Sequence, residues 1–363
     1  MTENPQGKRI LITGGAGYIG THVCKELLEE GHQVIVIDNL ITGREGAMTY
    51  LQERYPNQLI FIKGDLINPS DIEGVLGHHQ IDSVVHLAGS LSVRDSNSQP
   101  VRYVENNSIT TLNLLNGMVK YGVGEVVFAS TAAVYGKVDQ SLMPIKETQP
   151  ADPNSVYGIT KLMNEQFLKI YEGKGIKHTI LRFFNVMGAD ESGRFGYNTY
   201  PPEHLMQSAI LNVLGMYPEF KLTYPQVNTR DGSTIRDYIH VSDIAHAIRL
   251  GLERHWSGEG RETSEIMNLG SEKGQSTLEI INAVEAQLGV QIPRIKGETR
   301  PGEDPMTIAD PSKAKRVLGW MPERTLDEGI IGLRDWFMSR EFVREVYEPK
   351  ILREGQLPPG AKK

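Results

Sequence analysis

The sequence predicts an α/β protein: a doubly wound, mainly parallel sheet with a smaller α/β lobe. Two observations predict it. In the first half, short apolar runs rich in β-formers alternate with amphipathic helical segments, as strands covered by helices on both faces require. A glycine-rich turn also follows the first run and opens the first helix, where open α/β sheets place a ligand.

The strand-like runs are Arg9–Thr13, Gln33–Ile37, Leu59–Lys63, Ser83–Leu87, Val126–Ser130 and Thr179–Phe183. Between several of them lie the helical segments Tyr18–Glu30, Gln99–Tyr121 and Ser155–Glu172, with Gly31 placed to end the first. After Asn185 the pattern changes. Gly188–Pro202 reads as a long loop, Glu203–Leu214 as a helix, and Tyr224–Thr234 as a second loop. Arg236–Val241 resumes a strand, and Ser242 can cap a helix running through Glu253. Glu265–Leu269 reads as a strand, Thr277–Val290 and Leu326–Arg340 as helices. The expected organisation is a dinucleotide-binding domain over 1–187 with returns near 234–262. A substrate-binding lobe is expected from 188–233 and 263–347, and a loosely held polar tail over 348–363.

A chain of 363 residues has ample core for one large or two modest domains. Its net charge of −7 argues against a nucleic-acid partner. A single cysteine, Cys24, forms no internal disulfide, and its expected state is an inert thiol packed on a helix. His22, two residues away, would lie on another helix face. Met1–Arg9 is polar without an apolar signal core, and no stretch has the roughly 20 apolar residues of a membrane helix. A cytoplasmic protein without a membrane partner is expected.

The glycine turn is Thr13-Gly14-Gly15-Ala16-Gly17-Tyr18-Ile19-Gly20. Glycines here permit the tight turn and let backbone N–H groups approach a pyrophosphate at a helix N-terminus, the Rossmann arrangement. Asp38 ends the second strand 18 residues after Gly20. A carboxylate there accepts from a ribose 2′-hydroxyl and repels a 2′-phosphate, so NAD is favoured over NADP. Gly64-Asp65-Leu66 ends the third strand, where Asp65 can accept from an adenine amino group, and His86-Leu87-Ala88-Gly89 ends the fourth. His86 is expected to be a hydrogen-bonded strand-end histidine, not a metal ligand. Adjacent His78 and His79 share no face, so no metal site is expected.

Tyr157 and Lys161 stand at i and i+4 of one helix. A phenol with a pKa near 10 is a poor base at neutral pH, but a neighbouring ammonium and a positive nicotinamide ring would favour the phenolate. Ser130-Thr131 ends the fifth strand, where the Thr131 hydroxyl can bond the substrate oxygen that Tyr157 deprotonates.

This ordered set, with Asp38-Asn39, Ser130-Thr131-Ala132-Ala133-Val134-Tyr135-Gly136, Tyr157-x-x-x-Lys161, Arg182-Phe183-Phe184-Asn185 and Arg236-Asp237-Tyr238-Ile239-His240-Val241, resembles the extended short-chain dehydrogenase/reductase family. Within that family it is most similar to the UDP-glucose (UDP-galactose) 4-epimerases. The resemblance runs from about Lys8 to about Glu328. It implies a UDP-hexose substrate oxidised at C4 by bound NAD, with Tyr157 taking the 4-OH proton and Thr131 bonding that oxygen. Lys161 would hold the cofactor ribose and tune Tyr157. The transient 4-keto sugar turns over in a roomy pocket, expected beside the 188–202 loop, before reduction from its other face.

The implied cofactor set is Gly14, Gly17, Tyr18, Ile19, Gly20, Asp38, Asn39, Asp65, Leu66, Leu87, Ala88, Gly89, Asn106, Ser130, Tyr157, Lys161 and Phe184. The implied substrate set is Thr131, Asn185, His204, Arg236, Arg300, Glu303 and Thr307. Arg236 and Arg300 would pair with the diphosphate, Glu303 with the uridine ribose. A homodimer through the 99–121 and 155–172 helices is also implied. Departures from the pattern are Leu91 for a lysine, His204 for an asparagine, Val186 for a proline and Thr307 for a tyrosine. The smaller Thr307 suggests tolerance of N-acetylated UDP-hexoses.

Alternative activities are a dehydratase or decarboxylase of the same fold, an epimerase of UDP-pentoses or UDP-uronic acids, and a non-catalytic NAD-binding scaffold. Elimination of water needs an acid and a base directly after the active-site threonine, and Ala132 and Ala133 supply neither. Retention of Thr131, Tyr157 and Lys161 together argues against the scaffold.

Overall fold

The structure, a computed structural model, describes residues 7–217, 220, 222, 227–257, 263–294 and 304–349. Its centre is a seven-stranded parallel sheet of β1 (Arg9–Thr13), β2 (Gln33–Asp38), β3 (Leu59–Lys63), β4 (Ser83–His86), β5 (Glu125–Thr131), β6 (Lys177–Phe183) and β9 (Glu265–Leu269). Their spatial order is β3-β2-β1-β4-β5-β6-β9. The order reverses between β1 and β4, which opens a crevice at the carboxyl ends of these strands.

Period-two alternation splits the strands' apolar side chains between two cores. Ile10, Ile12, Val34, Val36, Val85, Val127 and Leu181 face α1 (Tyr18–Glu29), α2 (Glu45–Arg54) and α9 (Val241–Trp256). Leu11, Ile35, Val84, Val126, Phe128 and Ile180 face α3 (Pro69–His78), α6 (Thr110–Tyr121) and α7 (Val156–Glu172). A fully buried aliphatic side chain is worth about 1.5–3 kcal/mol, so this double covering fixes the register firmly. Ahead of α6 come α4 (Val93–Ser98), α5 (Pro100–Tyr103) and a π-helical turn at Val104–Ile109. The expected single helix is therefore wound differently at its start.

The second lobe holds β7 (Asn185–Met187), α8 (Leu205–Val213), β8 (Ile235–His240), β10 (Gly274–Ser276), α10 (Thr277–Leu288), β11 (Met306–Thr307), α11 (Ser312–Leu318), α12 (Leu326–Met338) and α13 (Arg340–Phe342). Met206, Ile210, Ile280, Val284, Ile330, Leu333 and Phe337 form its core.

Several expectations shift. The strand at 235–240 does not return to the main sheet; it pairs with β7, β10 and β11 in a separate small sheet. The seventh main-sheet strand is Glu265–Leu269, assigned to the lobe from sequence; it pairs with β6. Ser242 lies inside α9, and the cap is the His240 ring, which accepts from the Ser242 N–H. The 188–202 segment is a loop, and much of it is packed: Ala189, Asp190, Phe195, Tyr197, Asn198 and Tyr200 are buried. Its carbonyls tie the two lobes together, Gly188 accepting from the Tyr18 hydroxyl and Tyr197 from the Trp336 indole. The 348–363 tail and Arg300 and Glu303 lie wholly or largely outside the described residues.

Candidate active site

The glycine turn is built for close approach. Gly14 has φ +72°, and a Cβ there would sit 2.7 Å from the Ala88 nitrogen; one on Gly20 would sit 2.3 Å from the Gly14 carbonyl. Helix α1 starts at Gly17 with no side-chain cap and no acid in its first turn. Its first N–H groups thus keep donor capacity for an anion. By contrast, side-chain hydroxyls of Ser155, Ser276 and Thr325 cap α7, α10 and α12.

Asp38, at the end of β2, is buried. Its oxygens accept from the N–H groups of Ala16 (3.0 Å) and Leu40 (2.8 Å). Burial pushes its carboxyl above the usual range, and those two bonds oppose the shift. Each oxygen keeps a further lone pair for a ribose hydroxyl. Asn39 donates to Asp65 at 3.1 Å, joining the ends of β2 and β3. Ile19 packs on the core behind the turn, and Leu66 is buried at the end of β3. This cradle fits an adenine dinucleotide: glycines where side chains would collide, free donors for a diphosphate, and carboxylates at two strand ends.

The carboxyl end of β5 meets α7 through three consecutive residues. Lys161 donates to the Ala129 carbonyl at 2.8 Å, and its ammonium lies 4.9 Å from the centre of the Phe128 ring. Ser130 donates to Glu165 at 2.6 Å. Thr131 stands close enough to Tyr157 to favour its phenolate. The Thr131 oxygen accepts from the Ala133 N–H at 3.2 Å, which leaves its hydroxyl hydrogen to donate. Tyr157 and Lys161 are both buried. Burial pushes the Tyr157 phenol up to about 12, the Thr131 bond pulls it down, and the nearby Tyr103 phenol raises it again. Burial also brings the Lys161 ammonium down to about 8, against the Glu165 carboxylate, which raises it. Thr131 is the neighbour that favours the phenolate, and the Lys161 ammonium bonds the Ala129 carbonyl one helical turn away.

His86 is a strand-end histidine in a polar chain. The Ala88 N–H donates to Thr13 (3.3 Å), and the Thr13 hydroxyl lies 2.7 Å from His86 Nδ1. Thr111 donates to the Asn107 carbonyl at 2.6 Å, leaving its oxygen to accept from His86 Nε2 at 2.9 Å. Burial, then the Lys161 charge, bring His86 down to about 3, so the ring is neutral. Asn107 accepts from the Ser90 N–H (2.7 Å) and donates to Thr160 (3.0 Å). Asn106 donates to Ser90. Leu87, Ala88 and Gly89 are thereby held beside the glycine turn.

On the lobe side, Phe184 is buried against Val134 and Tyr135. Asn185 opens β7 and donates to the Asp237 carbonyl at 3.4 Å. Arg236 on β8 lies directly beside Thr307 of β11. Asp237 accepts four bonds, from Ser271 N–H and hydroxyl and from the N–H groups of Glu272 and Ala309, which fixes this strand. The His204 ring packs edge-on against Tyr197 at the start of α8. Leu91 is exposed. Cys24 is buried, donates to the Gly15 carbonyl, and has its thiol pushed far up by burial. Among the described residues no group of three or more acidic, histidine or cysteine side chains is placed to hold a metal.

Sequence reasoning missed Asn107, Thr111, Tyr103 and Glu165. For Glu165 a signal existed: it repeats the i+4 step beyond Lys161 on the same helix. Glu165 is fully buried and pairs twice with Arg182 (Nε 2.9 Å, terminal nitrogen 2.6 Å).

Fold and site together define a dinucleotide-dependent nucleotide-sugar enzyme of the short-chain dehydrogenase/reductase type. The profile of the family described as GDP-mannose 4,6-dehydratase matches residues 11–332, and the chain belongs to that family. The relatives it resembles are UDP-glucose 4-epimerases. That of Azospirillum brasilense is 38% identical over 324 residues, 89% of this chain and 90% of the relative. The solved structure of the Stenotrophomonas maltophila UDP-glucose 4-epimerase, with bound NAD and formylated UDP-arabinopyranose, superposes with a TM-score of 0.86 at 33% identity, covering 91% of this chain and 97% of that one. The Bifidobacterium longum enzyme, in complex with NAD+ and UDP, gives 0.85 at 34% identity, covering 92% and 99%.

Proposed function

We propose that this chain is an NAD-dependent 4-epimerase of UDP-hexoses, interconverting UDP-glucose and UDP-galactose through a transient 4-keto sugar. The observation that carries the reading is the meeting of Thr131, at the end of β5, with Tyr157 and Lys161 of α7, where Lys161 bonds the Ala129 carbonyl at the carboxyl edge of the sheet beside the dinucleotide cradle. NAD, held by the 14–20 turn, Asp38, Asn39, Asp65, Leu66 and the 87–89 backbone, supplies a reversible two-electron acceptor and, when oxidised, a positive charge.

Tyr157 is the base that takes the 4-OH proton. Its phenol is too weak an acid at neutral pH by burial alone, so it depends on Thr131's donated bond and on positive charge nearby. Thr131 also bonds the substrate oxygen, and Lys161 supplies the cation on the same helix. Tyr157 returns the proton when the ketone is reduced, so no acid or base is consumed. Ala132 and Ala133 carry no proton, which leaves the intermediate to be reduced, not dehydrated. Asn185, His204, Arg236 and Thr307, with Arg300 and Glu303, are proposed to hold the UDP-sugar. Thr307, beside Arg236, is proposed to admit an N-acetyl group because its side chain is smaller than a tyrosine. The pentose ligand bound to the Stenotrophomonas enzyme favours a test of UDP-pentoses as well.

No helix among the described residues is long and apolar enough to cross a membrane. A cytoplasmic homodimer without nucleic-acid or membrane partners is proposed. Exposed Val101, Ile109, Ile159 and Ile170 on the 99–121 and 155–172 segments support that interface, and sedimentation would read the mass.

Incubation with UDP-galactose, UDP-GalNAc, UDP-arabinose and UDP-galacturonate, with products separated by chromatography, tests the activity. Conversion of UDP-galactose to UDP-glucose is expected. NAD binding with no conversion of any UDP-sugar would leave the scaffold reading in its place.

A further inference from the structure

The mechanism uses Thr131, Tyr157 and Lys161 but leaves Glu165 and Arg182 without a part. Glu165 is wholly buried one turn beyond Lys161. One carboxylate oxygen accepts from both Ser130 (2.6 Å) and Arg182 Nε (2.9 Å), the other from Arg182's terminal nitrogen (2.6 Å). Arg182 stands opposite Ser130 in the β5–β6 register and lies over the Tyr135 ring, whose hydroxyl is tied to Asn268. A fully satisfied buried pair is costly to desolvate, and replacement by apolar residues is often neutral or stabilising. Its place between strand end and catalytic helix therefore calls for a role beyond stability.

We propose that Glu165 is a positioning residue for the reaction: through Ser130 it fixes the strand end carrying Thr131, and one helical turn beyond Lys161 it stands as the counter-charge to that buried ammonium. This rests on the epimerase reading for the reaction it serves. The groups facing Lys161 leave Glu165 as its counter-charge. From β5 come the Phe128 ring and the Ala129 carbonyl. From β4 comes His86, which is neutral. From its own helix come Tyr157 and Glu165, and only Glu165 opposes the loss of charge that burial favours. Arg182 bonds both oxygens of that carboxylate, and its removal would leave a buried acid without its cation.

The test is a titration of the full chain with 13Cε-labelled lysine, the Lys161 resonance being assigned by its loss in Lys161→Met. In Glu165→Gln the Lys161 midpoint should fall by about one pH unit, because the opposing charge is gone. The alkaline limb of kcat/KM for UDP-galactose should move down with it. Glu165→Gln leaves Arg182 unpaired, so Glu165→Gln/Arg182→Met is titrated alongside. It keeps an acceptor for Ser130, removes both charges of the pair, and should show a fall of the same sign but smaller, because the unpaired arginine is gone too. A midpoint that stays at the parent's position in the folded variants overturns the proposal, as does a fallen midpoint with an unmoved alkaline limb. If the parent turns over no UDP-hexose while the midpoint falls, the hold of Glu165 on Lys161 stands and the epimerase reading fails instead.

Discussion

Replacing Thr131 by valine removes the one neighbouring hydrogen bond that favours the Tyr157 phenolate while keeping the side chain's shape. Burial pushes the phenol to about 12, and Thr131 is the group that pulls it down. A hydrogen bond to a charged group contributes about 1.5–3 kcal/mol, so its loss should raise the phenol's pKa by about 1–2 units. The base must be deprotonated to act. A higher pKa leaves less phenolate at a given pH, so the acid limb of kcat/KM shifts toward alkaline pH. At neutral pH the rate should fall by roughly 10- to 100-fold. The Ala133 N–H also loses its cap, which costs about 1 kcal/mol, so the melting temperature should fall only modestly. The assay is conversion of UDP-galactose from pH 6 to 10 with saturating NAD. A variant within about twofold of the parent, with an unmoved acid limb, would refute the assignment of Thr131 as the group that sets the base.

Tyr157→Phe should lower turnover by at least about 10³-fold while NAD stays bound, as read by the absorbance and fluorescence of the purified protein. Gly20→Ala should weaken NAD binding and lower thermal stability, because the added methyl would meet the Gly14 carbonyl at 2.3 Å; calorimetry with NAD checks both. His22, His178, His240 and His255 are brought down to about 4, and His86 to about 3, each mainly by burial. The unfolded chain therefore binds more protons between pH 4 and the ordinary histidine value of 6.5. Stability present at pH 7 is lost as pH falls through that window, by up to about 1.4 kcal/mol per pH unit for each histidine. Denaturant melts at pH 7.5 and 5 should show the drop. Thr307→Tyr should reduce any turnover of UDP-GalNAc far more than that of UDP-galactose, by comparison of kcat/KM for the two.

The first six main-sheet strands were readable because each has an unbroken apolar run at its centre, as double covering demands. Helix α2 was not, since only Ala47, Met48 and Leu51 of its ten residues are buried and the apolar stripe is thin. Helix α3 could have been found from Pro69 at its first turn. Glu265–Leu269 reads as a strand, but the sheet it joins is set by contacts distant in sequence. The same limit applies to the site. Gly14, Asp38, Tyr157 and Lys161 sit in short motifs whose spacing carries their chemistry. The Ser130–Glu165–Arg182 network joins pairs 35 and 17 positions apart, and His86 meets Thr111 25 positions on, only through the fold. The 188–202 segment is the long loop its Gly, Asp, Ser and Pro signalled, but that it is anchored by Phe195, Tyr197 and Tyr200 in two cores is set by contacts distant in sequence.

Isotope transfer tests the central claim most directly. UDP-galactose deuterated at C4 of the sugar, incubated with the enzyme in ordinary water, should yield UDP-glucose that keeps its deuterium at C4, since the same hydrogen leaves and returns within one closed site. Product carrying solvent hydrogen at C4, or label lost to water, would contradict a reversible oxidation at that carbon.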